Sequence, residues 1–153
     1  MAQFKITGGT SLEGEISVGG AKNAALKLMA AALMTTETVI LHNVPDIRDI
    51  RTMVDIIRDM GGEVTMSDHT VTLNCADVSG EPDYQLVKHM RASAVIIGPL
   101  VARFGSIRIP QPGGCLLGAR PIDTHIHALE QLGVECREEG DYFEFTAVQG
   151  RLT

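Results

Sequence analysis

The feature that most constrains the fold is an internal repeat. The segment "GGAKNAALKLMAAALM" at 19–34 matches "KHMRASAVIIGPLVAR" at 88–103 with an offset of 69, which sets Lys22 on Arg91 and Ala25 on Ala94. The same offset sets Thr38-Val39-Ile40 on Ile107-Arg108-Ile109. Further on, 50–73 matches 122–145 with an offset of 72, so that Met60-Gly61 falls on Leu132-Gly133. The larger offset means that the second copy carries an insertion, which lies around 111–118. A period of this length is read before any local pattern, because each copy is one unit that buries its apolar face against the next.

Each copy reads helix, strand, helix, strand, strand. The first helix, 24–34, has Ala24, Ala25, Leu26, Leu28, Met29, Ala30 and Leu33 with only Lys27 as an interior charge. Its counterpart, 92–104, is similar, and a helix without a polar face belongs inside a protein. The second helices are amphipathic: Ile50, Met53, Val54, Ile57 and Met60 recur every three or four residues, as do Ile122, Ile126, Leu129 and Leu132. Gly61 and Gly133 supply their C-terminal stops. Strand pairs follow, "EVTMS" with "TVTLN" and "VECRE" with "YFEFT", with turns at Ser67-Asp68-His69 and Glu138–Asp141. The expected fold is α/β, with buried helices, outer sheets and pseudo-symmetry. Residues 1–18 hold short glycine-punctuated strands outside the repeat, 19–87 the first repeat, and 88–153 the second.

Bulk properties exclude several classes. A net charge of −6 leaves no basic face for nucleic acid. No secretory signal precedes the repeat, and the apolar stretches at 24–34 and 92–104 are too short to span a membrane. Three cysteines in neither paired nor CxxC spacing suit reduced thiols in the cytoplasm. His42, His69, His89, His125 and His127 have no zinc-like spacing, so neither a metal nor a cofactor is expected.

The chemistry concentrates at two places. Lys22 and Arg91 both stand in the first turn of a buried helix, where free N–H groups and the helix dipole already favour an anion. Each could instead extend its charge to solvent, but the same choice in both copies favours anion binding. Asn23 could offer its amide to a ligand or serve the helix start. "GEISVGGAK" is not a P-loop, because its lysine does not directly follow the second glycine of that pattern. The second place is the insertion, where Cys115 lies among Gly113, Gly114 and Gly118 with Arg120 five residues on. Access and a nearby cation raise the thiolate fraction, whereas Cys75 and Cys136 sit in or beside strands as core residues. Asp123 follows Arg120-Pro121 and reads either as a helix N-cap or as a ligand contact.

"GGAKNAAL", "MRAS" with "GPLVARFG", and "PGGCLLGARPIDTHI" together resemble the bacterial UDP-N-acetylglucosamine 1-carboxyvinyltransferases. The resemblance runs along the whole chain. It implies an inside-out α/β barrel of two domains, each with three repeated units, of which this chain carries about two. It implies that Lys22 and Asn23 bind phosphoenolpyruvate and that Arg120 holds its phosphate. Arg91 and the stretch Arg120, Pro121, Ile122, Asp123 and Thr124 would contact UDP-N-acetylglucosamine. Thr124 stands where the resemblance leads one to expect leucine. Cys115 would protonate C3 of phosphoenolpyruvate while the sugar 3′-hydroxyl adds to C2, in the first committed step of peptidoglycan synthesis, and would be the cysteine that the epoxide fosfomycin alkylates. The resemblance also implies a second domain with further catalytic groups, so this chain alone is expected to be inactive unless a further domain or a complementing chain completes it. A non-catalytic sugar-nucleotide-binding module and a 3-phosphoshikimate enolpyruvyl transferase are the alternatives.

Overall fold

In the computed structural model, residues 3–9, 11–113, 121–150 and 152 are described. The first copy runs α1 (Lys22–Ala32), β1 (Val39–Leu41), α2 (Arg48–Asp59), β2 (Glu63–Ser67) and β3 (Thr70–Asn74). A short helix, α3 (Tyr84–His89), spans the boundary expected at 87/88, and the second copy then runs a 3-10 helix (Arg91–Ile96), α4 (Ile97–Phe104), β4 (Ser106–Pro110), α5 (Asp123–Gln131), β5 (Val134–Glu139) and β6 (Tyr142–Ala147). Each copy builds a three-stranded antiparallel sheet with its last strand in the middle, β1-β3-β2 and β4-β6-β5. The registers are one residue out of step with the repeat: Leu73 pairs with Val39, whereas its counterpart Phe145 pairs with Ile107, the counterpart of Thr38.

The apolar faces of both copies meet in one core that includes Met29, Leu33, Met53, Ile57, Leu73, Ile96, Leu100, Ile109 and Phe145. All five apolar positions expected on α2 are buried, while its charged face, including Arg51, Asp55 and Arg58, is exposed. The β2–β3 turn falls where the sequence places it, with positive φ at Asp68 (47°) and His69 (58°), the backbone that closes a tight hairpin.

Four features differ from the sequence reading. The segment 92–104 is two helices, because Pro99 lacks the N–H that would bond to Val95 and its ring crowds that carbonyl. The chain therefore winds as a 3-10 helix up to Ile96 and becomes α-helical with Pro99 in the first turn. Helix α3 was not anticipated; Asp83 starts it, its carboxylate accepting from the N–H groups of Gln85 and Leu86. Helix α1 is not enclosed all round: Ala25, Leu26, Met29 and Ala30 are buried, but Ala24, Lys27, Leu28 and Ala31 form an exposed stripe, with Leu28 53% accessible. Finally, the described part of 1–18 contains no strand. A strand needs a ladder partner, and these residues lie against none: Phe4, Ile6 and Ile16 are 98%, 89% and 89% exposed.

The two copies are fastened by Arg103 at the end of α4. Its guanidinium donates to the carbonyls of Leu33 (2.8 Å), Cys75 (2.6 Å) and Ala76 (2.7 Å), all in the first copy.

Candidate functional site

The site builds from the start of α1. Gly20 passes so close to the β1–α2 connection that a Cβ there would lie 1.7 Å from the Asn43 carbonyl oxygen and 3.0 Å from Pro45 Cδ. Only glycine permits that approach, and it brings the first turn of α1 beside the first turn of α2. Lys22 opens α1 and Asn23 follows, both exposed. The N-cap is Ala21, whose side chain caps nothing, and the first turn carries no acidic residue. Unsatisfied N–H groups and a lysine thus face the same end, an arrangement that receives an anion. Lys22 Nζ lies 2.7 Å from Asp49 Oδ2, in the first turn of α2. A cleft of about 270 Å³ runs alongside, lined by Ala21, Ala24, Leu28, Ile40, His42 and Asn43 among others.

Arg91 is the first residue of the 3-10 helix, again behind a residue, Met90, that supplies no side-chain cap. That helix packs directly on α1, so the two cations start neighbouring elements. The 3-10 helix is further fixed by Ser93, fully buried, whose hydroxyl lies 2.6 Å from the Met90 carbonyl and 3.2 Å from that of Val87.

Cys115 and Arg120 lie outside the described residues. The ground on either side of them is described. After β4, Gln111 donates its backbone N–H to Asp141 (2.8 Å) and its side-chain amide to Glu138 (2.7 Å). Two residues before Cys115, Gly113 sits where a Cβ would be 1.7 Å from the Lys88 carbonyl oxygen, three residues ahead of Arg91. Gly113, the last described residue before Cys115, therefore lies against the stretch that leads into Arg91. On its far side Pro121 is exposed and Ile122 buried, and Ile122 occupies the N-cap position of α5. Asp123 is the first residue of that helix, so it complements the dipole as an acid in the first turn rather than capping with its side chain. Thr124 is exposed beside it. Lys22 and Asn23 thus stand at the start of one helix and Arg91 at the start of another that packs on it, while Pro121–Thr124 form the entry to a separate helix that packs on β5.

The described cysteines are poor nucleophiles. Burial pushes the Cys75 thiol up, against a partly opposing pull from Arg103. Burial also raises Cys136, reinforced by the carboxylates of Glu130 and Glu138. Both hold less thiolate near neutral pH than an ordinary cysteine. Among the described residues no group of three or more His, Cys, Asp and Glu side chains could hold a metal ion, and no described helix is long and apolar enough to cross a membrane. A larger cleft, about 620 Å³, lies away from these residues beside Ser79, Phe104, Arg108 and Glu144.

Asp49 is the residue that sequence reasoning passed over. No local pattern singles it out, and only the fold shows that it meets Lys22, 27 positions away.

Comparison with known proteins identifies the family. The family model described as EPSP synthase (3-phosphoshikimate 1-carboxyvinyltransferase) matches residues 6–152. A UDP-N-acetylglucosamine 1-carboxyvinyltransferase of Koribacter versatilis is 51% identical over 97% of this chain and 36% of its own length. Proteins of the same name from Solibacter usitatus and Acinetobacter guillouiae are 50% and 44% identical over 98% and 99% of this chain, again covering 36% of theirs. The chain thus spans about a third of the length of the curated relatives it matches. Among solved structures, the enolpyruvyl transferase NikO from Streptomyces tendae superposes with a TM-score of 0.77 at 25% identity, covering 95% of this chain and 32% of that one. An EPSP synthase from Acinetobacter baumannii, at 16% identity and a TM-score of 0.63, covers 87% of this chain and 32% of its own and shares the fold.

Proposed function

Because the chain belongs to the EPSP synthase (3-phosphoshikimate 1-carboxyvinyltransferase) family, we propose that it supplies one side of an enolpyruvyl-transfer site. Its substrates are phosphoenolpyruvate and UDP-N-acetylglucosamine. The observation that carries this reading is 44–51% identity along nearly the whole chain to relatives named for that acceptor. The 3-phosphoshikimate named in the family description is the less favoured acceptor, since the solved EPSP synthase shares only 16% identity.

In this reading Lys22, Asn23 and the free N–H groups at the start of α1 meet the anionic groups of phosphoenolpyruvate. Arg120 holds its phosphate. Arg91 and residues Pro121, Ile122, Asp123 and Thr124 contact the sugar nucleotide. The sugar 3′-hydroxyl gives its proton to a base in the remainder of a longer protein and its oxygen bonds to C2, as the Cys115 thiol gives its proton to C3. Loss of phosphate from C2 and return of a proton from C3 to the thiolate then restore the double bond in the enolpyruvyl ether. In this reading the protein works in cytoplasmic cell-wall precursor synthesis, at the entry to peptidoglycan. Residues 19–87 and 88–153 act as two units of one domain. The apolar residues of 1–18, exposed in this chain, pair with the remainder of a longer protein, which also completes the site.

Cys115 separates this reading from a module that only binds a sugar nucleotide, which has no use for a reactive thiol. Exposure of the chain to fosfomycin, followed by peptide mass spectrometry, is expected to find one adduct, on Cys115. Cys75 and Cys136 are expected to stay unmodified because burial suppresses their thiolates. Labelling of those two in preference to Cys115 favours the binding module.

A further inference from the structure

We propose that Asp49 is the positioning residue for Lys22, holding its ammonium over the start of α1 so that an arriving anion finds it in place. The inference rests on the reading of Lys22 as a ligand for phosphoenolpyruvate and adds to it a residue with no assigned role.

A lysine side chain is a flexible stem that loses about 2 kcal/mol of rotamer freedom when immobilised, and alone it would do so at each binding event. Here Nζ is tied at 2.7 Å to Asp49 Oδ2, with the two side chains 45% and 38% accessible. The ammonium has three donors, so one bond to Asp49 leaves two for a ligand. Asp49 is itself held favourably, in the first turn of α2 where a carboxylate suits the helix dipole. Gly20, by its approach to Asn43, brings the two helix starts within reach.

The second copy supplies the contrast. Its matching cation is Arg91, whose stem is as flexible but whose planar guanidinium loses less freedom for each hydrogen bond it forms. The offset of 72 that relates the second helices carries Asp49 onto Pro121, which has no carboxylate. Among the described residues no acid pairs with Arg91. A carboxylate beside an anion site repels the ligand, so it has a use only where the cation needs orienting. The lysine, a point charge on its stem, has more need of orienting than the arginine fork.

The test uses the 153-residue chain and a lysine-acylating reagent, with modification of Lys22 read by mass spectrometry against Lys27, an exposed lysine on the same helix. An ammonium engaged with a carboxylate must leave it before it can be acylated. Asp49→Asn is therefore expected to speed acylation of Lys22 relative to Lys27 by about two- to fivefold, the range of an exposed ion pair. Phosphoenolpyruvate is expected to protect Lys22 in the unaltered chain, and Asp49→Asn to raise the half-protecting concentration by about the same factor. Asp49→Glu restores both values. An unchanged ratio of Lys22 to Lys27 overturns the tether. Protection of the unaltered chain with an equal or lower half-protecting concentration in Asp49→Asn overturns positioning while leaving the anion-binding role of Lys22 intact. Failure of phosphoenolpyruvate to protect Lys22 in the unaltered chain overturns that role, and the inference with it.

Discussion

Gly20→Ala is expected to lower stability by about 3 kcal/mol or more, beyond the usual overpacking penalty because the clash is with backbone. The new Cβ would stand 1.7 Å from the Asn43 carbonyl oxygen and 2.8 Å from its carbon, atoms that no rotamer change can move. The start of α1 and the 42–49 connection must separate, which also parts Lys22 from Asp49. For a chain of this size the loss corresponds to about 6–12 °C in Tm. Gly19→Ala is the control: its Cβ meets nothing within 4 Å, and its effect is expected to stay within about 0.5 kcal/mol. Thermal and urea melts of the two variants, followed by circular dichroism, check the contrast. Equal melts would show that the close approach at Gly20 is not maintained in solution.

Arg103→Ala is expected to destabilise the chain by about 3–5 kcal/mol, since hydrogen bonds to a charged donor are each worth about 1.5–3 kcal/mol and the part-buried carbonyls of Leu33 and Cys75 lose their donor. Three carbonyls lose their donor together. That of Leu33 ends α1, where a cation is favoured by the helix dipole, and those of Cys75 and Ala76 follow β3. The guanidinium is a polar tie between the copies, lying 70 positions from Leu33 in the chain. Arg103→Lys keeps the charge but not the fork that reaches all three carbonyls, so it recovers only part of the loss. The alanine variant also removes the cation that partly offsets the raised Cys75 thiol, so Cys75 is expected to react still more slowly in the folded chain. Urea melts of the three proteins give the stability series, and a loss below about 1 kcal/mol for alanine contradicts it.

The repeat made the architecture legible, because periodicity reports which faces are buried whatever the neighbours are. Ile50, Met53, Val54, Ile57 and Met60 are buried as their spacing requires, and both hairpins fall at their turn residues. Local chemistry that was overlooked explains two of the misses. Pro82-Asp83 is a helix-start signal, and Pro99 forbids a continuous helix through Val95. Other features were not in the sequence to be read. Arg103 corresponds in the repeat to Met34, which is 58% exposed, so nothing in the alignment points to its three carbonyl partners. The pairing of Lys22 with Asp49 likewise depends on how two helices are brought together, which no local pattern encodes. Of the site, the helix starts at Lys22 and Arg91 were readable because the physics of a helix terminus is local. Cys115 and Arg120 were readable as a glycine-flanked thiol and a cation, and they lie outside the described residues.

The central claim is that this chain contributes one side of an enolpyruvyl-transfer site and needs the remainder of a longer protein to turn over. Phosphate release from phosphoenolpyruvate in the presence of UDP-N-acetylglucosamine tests it most directly. It is measured for the 153-residue chain alone and for the same chain continued by the remaining residues of the Koribacter versatilis relative. The account predicts no steady turnover by the chain alone, and turnover by the joined protein that is lost on Lys22→Ala. Steady release by the chain alone, or a folded joined protein that releases no phosphate, would contradict it.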